Sequence, residues 1–222
     1  RVSYAQMLDH AGQREAAQSE LDAALKASLR WQIRDALKTA GVPAIWVTHD
    51  QEEALSVADR VGVMNEGRLE QVDDPEACYR APATRFVAAF LGDGIFLPGR
   101  VADGCVHTVL GCNQLDNKAR IDAETAAPRQ GDPVDVLVRP HDLDLEPDPL
   151  GNARVVWGRY EGETRLYKVK LDDGPVLKAR VTHELSLSEG ERVRTRIGAG
   201  HPLALFPCET QPADRIALAS GR

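Results

Sequence analysis

The sequence has 222 residues, 43% hydrophobic and 27% charged, and its 27 Lys and Arg against 34 Asp and Glu give a formal net charge of −7. That balance suits one large or two small folded domains and excludes a wholly disordered chain, while the acidic surplus disfavours a general nucleic-acid binder. No apolar run is long enough to span a bilayer, and no charged-then-apolar start resembles a secretory signal.

In chain order, residues 13–40 lack proline and repeat Leu21, Leu25, Leu29, Ile33 and Leu37 at every fourth position. This spacing predicts a long amphipathic helix, stopped by Gly41 and Pro43. Residues 44–47 (Ala-Ile-Trp-Val) read as a short strand covered on both faces. Asp50 followed three residues later by Glu53 predicts a capped helix with a capping-box-like pair. Residues 61–64, the turn Asn65-Glu66-Gly67 and residues 68–72 read as a hairpin. Pro75 begins a short helix, and residues 83–91 form another with Phe86, Val87, Phe90 and Leu91 on its apolar side. The pattern to this point is the end of an α/β domain.

After Gly92 the texture changes to short Val-, Leu- and Tyr-rich segments between Gly, Asp and Pro turns. Strands are predicted at 99–102, 106–110, 134–139, 155–160, 166–171, 176–181, 193–197 and 203–206, with Asp172-Asp173-Gly174 as a hairpin turn. Such spacing implies a small all-β barrel or sandwich. The expected organisation is an α/β part over 1–92, a β domain over 93–208 and a polar tail over 209–222. Cys78, Cys105, Cys112 and Cys208 form no Cys-x-x-Cys pair and have no histidine at ligand spacing, so they read as reduced thiols. The histidines other than His49 lie far apart in sequence and read as loop or surface residues, so no metal site is predicted.

The sharpest local signal is Val47-Thr48-His49-Asp50-Gln51-Glu52-Glu53-Ala54, where a predicted strand end meets a helix start. A histidine at such a sheet edge can contact a phosphate oxygen or orient an attacking water. The plainer alternative is a helix cap beside an exposed loop histidine, and spacing alone favours it. Residues 48–54 resemble the switch-histidine loop of ATP-binding-cassette transporter ATPases, in the subfamily that energises bacterial solute importers. Residues 58–92 resemble the subfamily's segment C-terminal to that loop, with Asp59-Arg60, Gly67-Arg68, Asp74-Pro75, Tyr79, Pro82 and Phe86 in place. Upstream, residues 19–23 resemble the family's D-loop, with Ser19 and with Asp22 at its aspartate. Downstream, Val138-Arg139-Pro140-His141-Asp142-Leu143 resembles the arginine-proline motif of the β-rich (TOBE, OB-like) accessory domain. With four motifs in order over residues ~19 to 207, the weighting on His49 reverses.

The resemblance implies a partial P-loop-type nucleotide-binding domain followed by a small OB-like barrel. It implies ATP and Mg²⁺ as cofactors, with His49 at the γ-phosphate and attacking water, and Ser19 and Asp22 at the nucleotide and dimer interface. It also implies transmembrane permease subunits and a second ATPase subunit as partners, and a peripheral place on the inner face of the membrane. Nucleic acid and a direct membrane span are not expected. Residues 94–101, Arg139-Pro140 and residues 203–207 are most similar to the ferric-iron branch. No G-x-x-x-x-G-K-[ST] string, Leu-Ser-Gly-Gly-Gln signature or upstream glutamine loop occurs, and the positions of the metal-binding acids fall on Glu15 and Ala16. The expectation is therefore a truncated chain, inactive alone. The alternative is a non-catalytic regulatory or dimerisation module whose β domain senses a small anion or a partner.

Arg192-Val193-Arg194-Thr195-Arg196 would place three arginines on one face of a strand, with Lys168 and Lys170 sharing another. One reading is an anion site at Arg192, Arg194 and Arg196. The favoured reading is a solvated strand face diluted by nearby acids.

Overall fold

Twenty-seven residues without proline form helix α1 (Arg14–Ala40). It closes as a Schellman motif, with Gly41 N–H on the Lys38 carbonyl, Val42 N–H on the Leu37 carbonyl and Gly41 at a φ of 65°. The computed structural model describes residues 14–115 and 128–208 and, within α1, the side chains of residue 25 and of residues 28–40. The expected tail at 209–222 lies outside the described residues, as do the side chains of Ser19 and Asp22, which fall within α1.

The chain forms two compact units, one reaching to Gly62 and including Val72–Glu76, the other comprising Val63–Gln71 and the chain from Ala77 onward. The boundary expected at Gly92 to Gly94 falls inside the second unit. The reason is packing: Ala88 joins Leu137 and Phe206 of the β part in one buried cluster.

In the first unit the α/β reading is not met among the described residues. Residues 42–48 carry no regular structure, and Ile45 and Val47 are 95% and 92% exposed. A strand of this kind needs paired edges and covered faces, and no described strand pairs with it. The α1 stripe is likewise only partly covered, with Leu25 and Leu29 exposed and Ile33 and Leu37 half-buried. Polar contacts join α1 to helix α2 (Gln51–Val57) instead. Arg30 meets Asp50 and Glu53, Arg34 Nε donates to the Val57 carbonyl at 2.9 Å, and Lys38 reaches Asp59 at 2.6 Å.

Strands β1 (Val61–Asn65) and β2 (Arg68–Asp73) pair as the expected hairpin, its turn holding Glu66 and Gly67 at φ of 47° and 77°. Two positive φ values define the turn whose twist suits a two-residue hairpin, and glycine takes the second without strain. Helices α3 (Pro75–Arg80) and α4 (Arg85–Phe90) follow, the latter capped by the Thr84 hydroxyl on Val87 N–H.

The β part holds two antiparallel five-stranded sheets. One runs β12 (Leu205–Pro207), β6 (Pro133–Val138), β3 (Ile95–Ala102), β4 (Cys105–Thr108), β5 (Gly111–Gln114). The other runs β10 (Val176–Thr182), β9 (Thr164–Leu171), β8 (Ala153–Tyr160), β11 (Arg192–Ile197), β7 (Leu143–Pro147). Alternation along each strand sends Leu97, Val136, Val155, Val169, Val193 and Leu177 into one shared core. Each fully buried Val or Leu contributes about 1.5–3 kcal/mol, so this core outweighs any single surface pair. Tyr167 is 1% exposed and lies across Gly158, where any β-carbon would collide with its ring; its hydroxyl donates to the Leu185 carbonyl and accepts from Leu187 N–H. Strands β5 and β7 were not expected. The Leu143-Asp144-Leu145-Glu146 alternation of β7 is a half-buried strand pattern hidden between Pro140 and Pro147. A 3₁₀ turn at Pro140–Asp142 carries the chain from β6 in one sheet to β7 in the other.

Candidate functional site

His49 sits exposed in the loop before α2 and makes no hydrogen bond among the described residues. Its neighbours are bound to one another. Asp50 accepts from Glu53 N–H at 3.1 Å and so caps α2, while its own N–H donates to the Thr48 hydroxyl at 3.0 Å. The expected reciprocal box does not close, because the Glu53 carboxylate takes the Thr48 hydroxyl and the Arg30 guanidinium. The Glu53 N–H first, and then the Arg30 guanidinium, hold the Asp50 carboxyl below the usual range against a slight opposing desolvation. A Mg-nucleotide site needs free backbone donors, a lysine and unpaired carboxylates. Here the acids and donors around His49 already satisfy one another, so the described residues do not fit ATP and Mg²⁺.

Arg139, from the expected motif, has its guanidinium over the Tyr79 ring, 3.9 Å from the centroid. Nη1 donates to the Gly92 and Asp93 carbonyls at 3.2 and 3.3 Å, and Nη2 to those of Tyr79 and Ala88 at 3.0 and 3.4 Å. It is 3% exposed, and burial pulls it below the ordinary guanidinium range against the opposing influence of Tyr79 and Asp142. With its donors on carbonyls, Arg139 fastens α3 and α4 to the β sheets and presents no free fork to a ligand. Pro140 starts the 3₁₀ turn that Asp142 caps, Oδ2 accepting from Arg139 N–H at 2.7 Å.

The arginine stripe does lie on one face of β11, as its alternating burial requires. Each arginine is paired with a carboxylate, which weighs against the anion-site alternative. Arg192 meets Asp172 through two bonds of 2.8 and 2.9 Å and also donates to the Gly151 carbonyl. Arg194 meets Asp148 at 2.7 Å, and Arg196 meets Asp144 at 3.3 Å and Glu146 at 3.0 Å. Antiparallel pairing sets Arg194 opposite Glu146 and Arg196 opposite Asp144, so the neighbouring strand supplies the countercharge.

What the sequence did not show is the junction of His141 and Asp142, on the 3₁₀ turn, with His201, 59 positions after Asp142. Asp142 is 2% exposed and faces both imidazoles. His201 Nε2 lies 3.0 Å and His141 Nε2 3.5 Å from Asp142 Oδ1. The rings border a shallow pocket with Tyr79, Arg139 and Leu203, and the His141 ring stacks on Tyr79 with centroids 5.8 Å apart. Burial first, then the charges of His201, Arg139 and Arg180, pull the His141 imidazole below its usual range, while Asp142 pulls it up. Only the adjacent His141-Asp142 pair was visible in sequence.

Residues 136–205 match the TOBE domain family. The chain is 38% identical over 187 residues to a sulfate/thiosulfate import ATP-binding protein of Bradyrhizobium diazoefficiens, covering 81% of this chain and 52% of that protein. It is 34% identical over 196 residues to a spermidine/putrescine import ATP-binding protein of Rubrobacter xylanophilus, covering 83% and 51%. A Rhodococcus jostii Fe(3+) ions import ATP-binding protein is 36% identical over 185 residues, covering 81% and 51%. The chain thus spans about half the length of the curated relatives it matches. A solved structure of the cytoplasmic molybdate-binding protein ModG covers 51% of this chain and 96% of its own, at TM-score 0.38 and 16% identity, a likeness too slight to transfer ligand or mechanism.

Proposed function

We propose that this chain is the C-terminal part of the ATP-binding subunit of a bacterial solute importer, with its β sheets as the accessory domain. The observation that carries the reading is that relatives named as import ATP-binding proteins match along most of this chain, through the TOBE segment. In that role the whole subunit binds ATP with Mg²⁺, pairs with a second ATPase subunit and docks on permease subunits at the cytoplasmic face of the membrane. No described helix is long and apolar enough to cross a membrane. His49 and Asp22 take their places at the nucleotide and the dimer interface only within that whole subunit. The narrower ferric-iron reading rests on residues 94–101, Arg139-Pro140 and residues 203–207. Relatives named for sulfate, spermidine and Fe(3+) are similar to nearly the same degree, so a transport assay has to choose among those solutes.

A second reading, a non-catalytic regulatory or dimerisation module, is favoured by one observation: the described residues build no phosphate site, while the β part is packed around its own core. The coding DNA upstream of Arg1 separates the two. A P-loop and signature in the same frame, and solute uptake lost when the joined gene is deleted, support the importer subunit. A start codon directly before this segment supports the module.

A further inference from the structure

We propose that His141, Asp142 and His201 form a three-ligand site for a divalent transition-metal ion of the zinc type, with a fourth position open to solvent. The argument starts from His201. Its Nδ1 lies 2.9 Å from the Pro202 carbonyl, which only accepts, so Nδ1 carries the hydrogen. His201 Nε2, the other ring nitrogen, then faces Asp142 Oδ1, 3.0 Å away, and is the atom that a metal ion would take. Either a second ring proton, making an imidazolium–carboxylate pair, or a metal ion brings two such atoms together, and the three-atom cluster offers the place for the ion.

The surroundings fit a metal ion. The three ligand atoms lie within 4.8 Å of one another, and a tetrahedral zinc with ligands at ~2.0–2.1 Å wants them about 3.3–3.5 Å apart, so closure draws the widest pair together by no more than about 1.5 Å. Two of the ligands already have the outer partners that such sites use. Arg139 N–H holds Asp142 Oδ2 and leaves Oδ1 to the two imidazoles, and the Pro202 carbonyl holds the His201 Nδ1–H. His141 is exposed and stacked on Tyr79, which leaves an approach from solvent. Against the ion stand Arg139, whose donors are on carbonyls, and Arg180, which is paired with Glu161. These charges weaken the site without occupying it. The inference is independent of the importer reading, since it rests on the β part alone.

The test uses the full 222-residue chain, freed of metal by a chelator and titrated with Zn²⁺ against a chromophoric competitor. Imidazole resonances are followed by NMR in the same titration. The expected result is one equivalent bound, with His141 and His201 Nε2 shifting together while His49, His107 and His183 stay put. His201→Ala and His141→Ala should each weaken binding about tenfold or more, with melting in chelator unchanged for at least one of them. Affinity unaffected by either variant overturns the proposal. So does binding abolished by cysteine alkylation, or a His201 Nε2–H that persists at saturating zinc.

Discussion

The Arg139 guanidinium holds four carbonyls from three segments and one aromatic face, and this makes it a structural cation. Removing it leaves the buried Ala88 carbonyl and three part-buried ones without their donor, and each such loss costs on the order of 1 kcal/mol, more at the buried one. Arg139→Met should therefore destabilise the β part by about 3 kcal/mol or more, given overlap among the four bonds. Arg139→Lys should recover only part, because an ammonium has neither the planar fork nor the stack on Tyr79. Urea unfolding followed by β-sheet circular dichroism reads both; a loss under about 1 kcal/mol for the Met variant would contradict the role. The motif was legible in sequence, but its role was not: acceptors at Tyr79, Ala88, Gly92 and Asp93 are backbone groups, which leave no side-chain signature. His141, Asp142 and His201 were hidden for a related reason. A 3₁₀ turn and a loop near the end of the chain meet only after two sheets have formed.

Strand β11 shows how an element can be read from its period while the partners of its side chains stay hidden. The period-two pattern placed Val193 and Thr195 inward and the arginines outward. What remained invisible was that β7 and the 148–152 and 172–175 turns bring Asp144, Glu146, Asp148 and Asp172 alongside. With their charges answered, the arginines have no reason to hold an anion. Arg194→Gln and Arg196→Gln should each shift stability by no more than about 0.5 kcal/mol, with Arg192→Gln nearer 1 because its two-point bond to Asp172 also reaches the Gly151 carbonyl. Calorimetric titration of the triple variant and the parent with phosphate and sulfate should show no difference. Tight binding lost only in the variant would restore the anion site. Asp148 and, beside Arg159 and Arg180, Glu161 set a pH dependence. Asp148 is held below the usual range first by Leu150 N–H and then by Arg194, and Glu161 first by Arg159 and then by Arg180. Their contribution is complete above the unfolded carboxylate range and disappears as pH falls through the depressed folded values. The urea midpoint should accordingly decline on acidification from pH 5 toward 3, and a midpoint flat over that window would exclude the contribution.

At the scale of the molecule, the change from helical to two-residue periodicity at Gly92 was real but marked a change of secondary structure, not of packing unit. A boundary there would invite the first protease cut between Leu91 and Gly99. In the structure that stretch is tied by Arg139 and Lys178 and runs into central strand β3, whereas residues 42–48 are irregular and exposed. Limited proteolysis followed by mass spectrometry should thus cut first within 42–48, and first cleavage at 92–98 would reverse the assignment. The exposed residues 44–47 also bear on catalysis. The switch-histidine reading of His49 assumed a buried strand delivering it to a phosphate, and no described strand does so. Phosphoryl transfer is mostly positioning and charge stabilisation, done by a phosphate-cradling loop, its lysine and a carboxylate-bound magnesium. The sequence holds no G-x-x-x-x-G-K-[ST] string for such a loop, Asp50 is already bound to Arg30 and the Glu53 amide, and the Glu53 carboxylate to Arg30 and the Thr48 hydroxyl. Losing one charge-stabilising group typically removes two to three powers of ten in rate, and losing the cradle removes ground-state binding as well. The purified chain should therefore release phosphate from Mg-ATP no faster than buffer, and His49→Ala should change nothing. Turnover that His49→Ala abolishes would require a phosphate site built by this chain, whereas activity surviving in the variant marks a contaminating ATPase.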